Sequence, residues 1–154
     1  MQKVAQKRIA VFGSRVGSGE EELIRNAALV GQCIAEKNAV LIGEHKGLSL
    51  EAVLAAEDSG GVTGNTLAGL TKCAAAIFLD GGDEALGLFR EACQAGAEFR
   101  IVAIIVPKHQ DEATQDEVRQ IIQACQKPIA KNPELLWGDD PAELVSGLLS
   151  KFKR

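Results

Sequence analysis

The stretch from Ala74 to Ala92, AAAIFLDGGDEALGLFREA, constrains the fold of this chain more than any other. Its run Ala74-Ala75-Ala76-Ile77-Phe78-Leu79 is apolar without polar alternation, the pattern of a strand covered on both faces, as in a parallel sheet. The run stops at Asp80 and meets Gly81-Gly82, which let the backbone turn sharply before helical periodicity begins near Asp83 or Glu84. A helix starting there aims its free N–H groups back at the strand end and suits an anion. The same residues also serve as a plain strand-to-helix turn with Asp83 as N-cap, so this segment alone leaves both roles open.

The rest of the chain repeats the alternation. Arg8 to Phe12 reads as a strand that ends at Gly13, and Glu20 to Glu36 as a helix with Glu20, Glu21 and Glu22 at its dipole-favoured start. Leu23, Ala27, Val30 and Ile34 recur on one face of that helix. Asn38 to Ile42 is a second short strand, Leu48 to Asp58 a helix broken by Gly60-Gly61, Val62 to Thr66 a short strand or loop, and Leu67 to Lys72 a short helix. After the glycine pair, Ala85 to Ala95 is helical with Leu86, Phe89 and Cys93 on one face and Gly96 as its stop. Ile101 to Val106 is another apolar strand closed by Pro107, Asp116 to Gln126 a helix, and Leu135 to Trp137 a candidate last strand. Asp139-Asp140-Pro141 starts a terminal helix with the stripe Leu144, Leu148, Leu149 and Phe152. The pattern predicts an α/β fold: a single-domain, doubly wound, mostly parallel sheet with helices on both faces, Rossmann-like, in which the runs at Arg8, Val40, Ala74 and Ile101 are adjacent. The domain takes in residues 1–154, with a core at about 8–107 and a C-terminal strand and helix at about 135–153.

Composition narrows the function classes. At 154 residues and 46% hydrophobic content, the chain supports one core and has little left for a second. No stretch reaches the ~18 apolar residues of a membrane helix, and Met1 to Lys7 lacks the apolar centre of a signal peptide, which predicts a cytoplasmic protein without membrane association. A net charge of -4 and dispersed lysines argue against nucleic acid as a partner. Aromatics are only 4% and Tyr is absent, so a bound ring would be held by aliphatic contacts and backbone. Cys33, Cys73, Cys93 and Cys125 form no CxxC pair and read as free, buried thiols. His45 and His109 have no partner at ligand spacing, so no metal site is predicted.

In doubly wound sheets the ligand crevice lies beyond the carboxyl ends of the strands. Three glycine-bearing loops meet that condition: Gly13 to Gly19, Gly43 to Gly47 and Asp80 to Glu84. The first has neither GxGxxG spacing nor the GK[ST] of a P-loop. The candidate ligand-binding residues are Gly13, Ser14, Arg15, Gly43, Lys46, Gly47, Gly81, Gly82 and Asp83. The glycines offer backbone N–H groups, and Arg15 or Lys46 offers the positive charge that glycine lacks.

The motif order IAVFGS, GEHKGLSLEAVLAAEDSGGVTG, AAAIFLDGGDEALGLFREA, IVAIIVP resembles the SLOG superfamily of Rossmann-like proteins, which includes the Lonely Guy phosphoribohydrolases and the molybdenum-cofactor carriers. The resemblance covers roughly Arg8 to Pro107. Gly43 and Gly47-Leu48 match the GGGxxGLM-like loop of that superfamily, Gly60-Gly61-Val62 its GGxV, and Gly81-Gly82 the glycine pair of its PGGxGTxxE loop. It implies a nucleotide-binding crevice and, since such proteins are commonly dimers or larger, a homodimer or higher oligomer. The apolar content of Leu48 to Ala56 and Leu86 to Cys93 points the same way.

The departures bear on catalysis. Glu84 and Ala85 follow the pair where the hydrolases have glycine and threonine, and Leu88 stands where the resemblance implies a catalytic glutamate. Glu84 and Glu91, about one turn either side, are the nearest candidate acids. No arginine lies between Gly61 and Cys73, where the hydrolases place one, and Gly43-Glu44-His45 replaces a triple glycine. N-glycosidic cleavage needs a carboxylate and a cation, and the matching positions supply neither. The expected function is non-catalytic binding of a nucleotide, another phosphorylated small molecule or a pterin-type ligand, with no cofactor required. Two alternatives stand beside it: a nucleoside-monophosphate phosphoribohydrolase with a displaced acid, and an oligomeric structural or interaction protein whose crevice has decayed.

Overall fold

The apolar runs become neighbouring strands of one parallel sheet in the computed structural model, which describes residues 7–13, 21–43, 47–64, 73, 75–79, 83–96, 99–105, 116, 120, 134–138 and 140–152. In chain order the elements are β1 (Arg8–Phe12), α1 (Glu21–Glu36), β2 (Val40–Ile42), α2 (Gly47–Asp58), β3 (Val62–Gly64), β4 (Ala75–Phe78), α3 (Asp83–Gln94), β5 (Ile101–Ile105), β6 (Glu134–Gly138) and α4 (Pro141–Phe152). The sheet order is β3-β2-β1-β4-β5-β6, and every pairing is parallel. The chain winds outward from β1 in one direction and from β4 in the other, so the order reverses between these two central strands. The four expected neighbours lie together as β2-β1-β4-β5. The expected helices at Leu67 to Lys72 and Asp116 to Gln126 fall largely outside the described residues.

Strand side chains alternate between two apolar layers, which explains why the sequence runs show no polar alternation. Ile9, Val11, Ala75, Ile77, Ile101, Ala103 and Ile105 face a layer made by α1, α2 and α4, through residues such as Ala27, Val30, Ile34, Ala52, Val53, Val145 and Leu148. Ala10, Phe12, Ala76, Phe78, Val102 and Ile104 face the other way, onto Phe89, Ala92 and Cys93 of α3 and onto Phe99. Phe12 sits at the centre of that second layer. Its ring lies 5.5 Å from Phe78, 5.8 Å from Phe89 and 5.9 Å from Phe99, the last two edge-on, an arrangement favoured by the ring quadrupoles.

Two helices on the first face lie unusually close. Ala27, Gly31 and Ala35 recur every four residues along α1, and α2 presents Ala52 and Ala56 to them. A Cβ on Gly31 would collide with the Ala52 carbonyl oxygen, and one on Gly61 would sit 2.7 Å from Ala35 Cβ. Both helices end in the same way. Ala39 N–H donates to Ile34 O (3.1 Å) and Asn38 N–H to Ala35 O (3.0 Å), while Gly61 N–H donates to Ala56 O (2.8 Å) and Gly60 N–H to Glu57 O (3.0 Å). This pair of hydrogen bonds closes a helix through one left-handed residue, here Asn38 at φ 59° and Gly60 at φ 79°. It also corrects the expected start of the second strand: Asn38 and Ala39 stop α1, and β2 begins only at Val40. At the other end of the chain Asp140 caps α4, its carboxylate accepting from Ala142 N–H at 3.0 Å and Glu143 N–H at 3.4 Å.

Of the thiols expected to be buried, Cys73 and Cys93 are, whereas Cys33 is half-buried on the flank of α1 and Cys125 lies outside the described residues. Burial pushes the Cys33 thiol up, helped by the Glu36 and Asp140 carboxylates and opposed by Lys37. Desolvation drives the Cys73 thiol from its ordinary 9.0 up to about 12, against a smaller opposite pull from Arg8.

Two outcomes follow from this packing. Gly31→Ala over-packs a backbone contact and costs about 2–3 kcal/mol of stability, read as a lower urea midpoint with an unchanged slope. At alkaline pH the unfolded chain ionises Cys73 from its ordinary 9.0 upward while the native state keeps that proton until about 12. Native stability therefore declines as pH rises through that window. The decline flattens in Cys73→Ala, measured by denaturation midpoints between pH 8 and 11.

Candidate functional site

The carboxyl ends of β1, β2 and β4 converge on the first turn of α2. β1 ends at Gly13 and β2 at Gly43, and both glycines are buried. A Cβ on Gly13 would lie 2.8 Å from Leu48 Cβ and 3.2 Å from Leu79 Cδ1, so this residue sits between the start of α2 and the end of β4. A Cβ on Gly43 would lie 2.6 Å from Ser49 Oγ and 3.0 Å from Val53 Cγ2. Neither position admits a side chain, and α2 begins directly over the strand ends at Gly47. The φ of 61° at Gly47 lies in the left-handed region, where any other residue is strained.

The polarity of this arrangement favours an anion. α2 runs twelve residues with no acidic side chain in its first turn, so no side chain of that turn offsets the partial positive charge of the helix start. α3 follows β4 and starts at Asp83. The start of α2 is the candidate seat for a phosphate-sized group.

The structure brings three of the sequence-derived candidates together: Gly13, Gly43 and Gly47 all surround the first turn of α2. Asp83 opens α3. Ser14, Arg15, Lys46, Gly81 and Gly82 lie outside the described residues, as do the side chains of Asp83 and Glu84. Glu91 is exposed on α3, eight residues after Asp83, a rise of about 12 Å along the axis from the end that meets the strand tips. Leu88, where the resemblance implies a glutamate, is half-buried and packs against the phenylalanine-rich layer. Ser49 lies beside the same strand ends and carries no signal in the sequence, because a serine inside an apolar helix gives no hint of its target. It is fully buried, and its hydroxyl donates to Val11 O at 3.0 Å. Among the described residues no cluster of His, Cys, Asp or Glu could hold a metal ion, and no helix is long and apolar enough to cross a membrane.

No protein-family model matches the chain, and no curated protein matches its sequence. Solved structures match its fold. The molybdenum cofactor carrier protein of Chlamydomonas reinhardtii superposes with a TM-score of 0.70 at 15% identity, over 97% of this chain and 100% of that one. The molybdenum cofactor binding protein of Rippkaea orientalis gives 0.68 at 16% identity, over 99% and 100%. DNA processing protein A of Streptococcus pneumoniae gives 0.54 at 14% identity, over 90% of this chain and 61% of that one. The chain shares with these proteins a single-domain, Rossmann-like α/β fold built on one parallel sheet.

Proposed function

We propose that the crevice beyond β1, β2 and β4 binds a phosphorylated small molecule of the pterin class and releases it unchanged. One observation carries this reading: the acid-free first turn of α2 is held directly over the strand ends by Gly13 and Gly43, neither of which leaves room for a side chain. A phosphate there meets backbone N–H groups with no desolvated carboxylate beside them on α2. Two solved proteins of similar fold are named for carrying or binding the molybdenum cofactor, which supports a pterin over a nucleotide as the ligand.

The same geometry argues against turnover. Leu88 is an apolar packing residue, and such a side chain neither activates water nor stabilises a developing oxocarbenium charge. Glu91, exposed on α3 and about 12 Å along the axis from its first residue, is remote from the strand ends. Among the described residues, neither Leu88 nor Glu91 is placed to act on a bond beside an anion at the start of α2.

Calorimetric titration with molybdenum cofactor, AMP and inorganic phosphate tests the proposal. The cofactor is expected to bind, and at 100 times its Kd to raise native stability by about 2.7 kcal/mol. Incubation with AMP releases no adenine. Adenine release that disappears in Glu84→Gln or Glu91→Gln restores a hydrolase, and failure of all three probes to bind leaves a decayed crevice.

A further inference from the structure

Carbonyls along a strand of a parallel sheet point alternately to its two neighbours. Val40 N–H donates to Lys7 O at 2.7 Å, which sets the carbonyls of Lys7, Ile9 and Val11 toward β2, and Leu79 N–H donates to Phe12 O at 2.8 Å, which sets Phe12 toward β4. The β1–β2 register ends at Ala10↔Ile42. The Val11 carbonyl accepts from the Ser49 hydroxyl in the first turn of α2, at 3.0 Å. A side-chain O–H thus stands on the β2 side of β1 just past the last paired residues, and α2 enters the sheet through it.

We infer that Ser49 is a positioning residue of the crevice, a clasp that fixes the first turn of α2 over the end of β1 and so sets where its free N–H groups point. The site is built around this one hydroxyl. Ser49 Oγ lies 2.6 Å from where a Cβ of Gly43 would be, and Ser49 N 3.4 Å from where one of Gly13 would be, so the two bare glycines make room for the clasp itself. Ser49 is 0% exposed; it acts on a ligand only through the backbone it holds. Removing the hydroxyl takes a donor from the buried Val11 carbonyl and frees the turn to shift. The inference rests on the crevice being the ligand site, and the experiment separates the two.

Ser49→Ala is compared with wild type and with Val145→Ala, a cavity in α4 remote from the crevice, by amide exchange and by titration with molybdenum cofactor and inorganic phosphate at a temperature where all three are folded. Exchange is expected to quicken at Ala52 and Val53, whose helical acceptors lie in the first turn, and to stay unchanged at Ala27 in α1. The Kd is expected to weaken roughly tenfold, equivalent to ~1.4 kcal/mol, while Val145→Ala lowers the melting temperature and keeps the wild-type Kd. Ser49→Cys fills the same space with a weaker donor and is read in the same way if Ser49→Ala does not fold. Unchanged exchange at Ala52 and Val53, an unchanged Kd, or an equal loss of affinity in Val145→Ala overturns the role of Ser49. If wild type binds neither probe, the crevice reading fails, and exchange alone then decides whether the clasp exists.

Discussion

The backbone of α2 meets α1 at Gly31, and Leu48, Ser49 and Val53 of the same helix crowd Gly13 and Gly43 at the edge of the sheet, so that a Cβ at any of these three glycines would force its neighbours to shift. Together these contacts fix a helix of twelve residues, about 18 Å long, along its length and at its start. Packed side chains tolerate only small displacements, and a contact between backbone and backbone has even less to give. The rest of the site inherits its geometry from this docking. The direction of the free N–H groups, the closeness of Leu48 to the end of β4, and the reach of Ser49 to Val11 all depend on α2 lying this close.

Such an arrangement suits holding better than reacting. A helix start and bare glycines present dipoles that are fixed in advance, so an anion seated there as proposed would meet them with little reorganisation. Chemistry would need a titrating side chain at the strand ends as well. Among the described residues the sequence offers Leu88 packed into the phenylalanine layer and Glu91 out on the exposed flank of α3. The second face adds rigidity below the site: Phe12, one residue before Gly13, is locked among Phe78, Phe89 and Phe99, so the last residues of β1 have a firm floor.

Much of the fold is legible in the sequence because both of its periodicities are strong. Runs such as Ala75-Ala76-Ile77-Phe78 and Ile101 to Ile105 are apolar at every position, which only a strand covered on both faces tolerates. The stripe Leu23, Ala27, Val30, Ile34 marks the buried face of α1 just as directly, and all four are buried. Glycine spacing also points to the strand ends, since Gly13, Gly43 and Gly47 do meet there. What pattern misses is set by single contacts. Asn38 looks like the first residue of a strand until the left-handed stop of α1 claims it. Gly31 looks like a weak point in a helix, and Ser49 like a neutral one. Each is explained only by a partner elsewhere in the chain, Ala52 in the first case and Val11, thirty-eight residues away, in the second.

The central claim is that the first turn of α2 is the anion seat of a crevice that binds without reacting. The most direct measurement is a crystal structure of the protein grown with the molybdenum cofactor, with the metal located by its anomalous scattering and the phosphate by its density. The account predicts an intact cofactor whose phosphate lies against the start of α2 at Gly47, beside the ends of β1 and β4. A cofactor bound elsewhere, or one seated in the crevice with its phosphate turned away from α2, contradicts it.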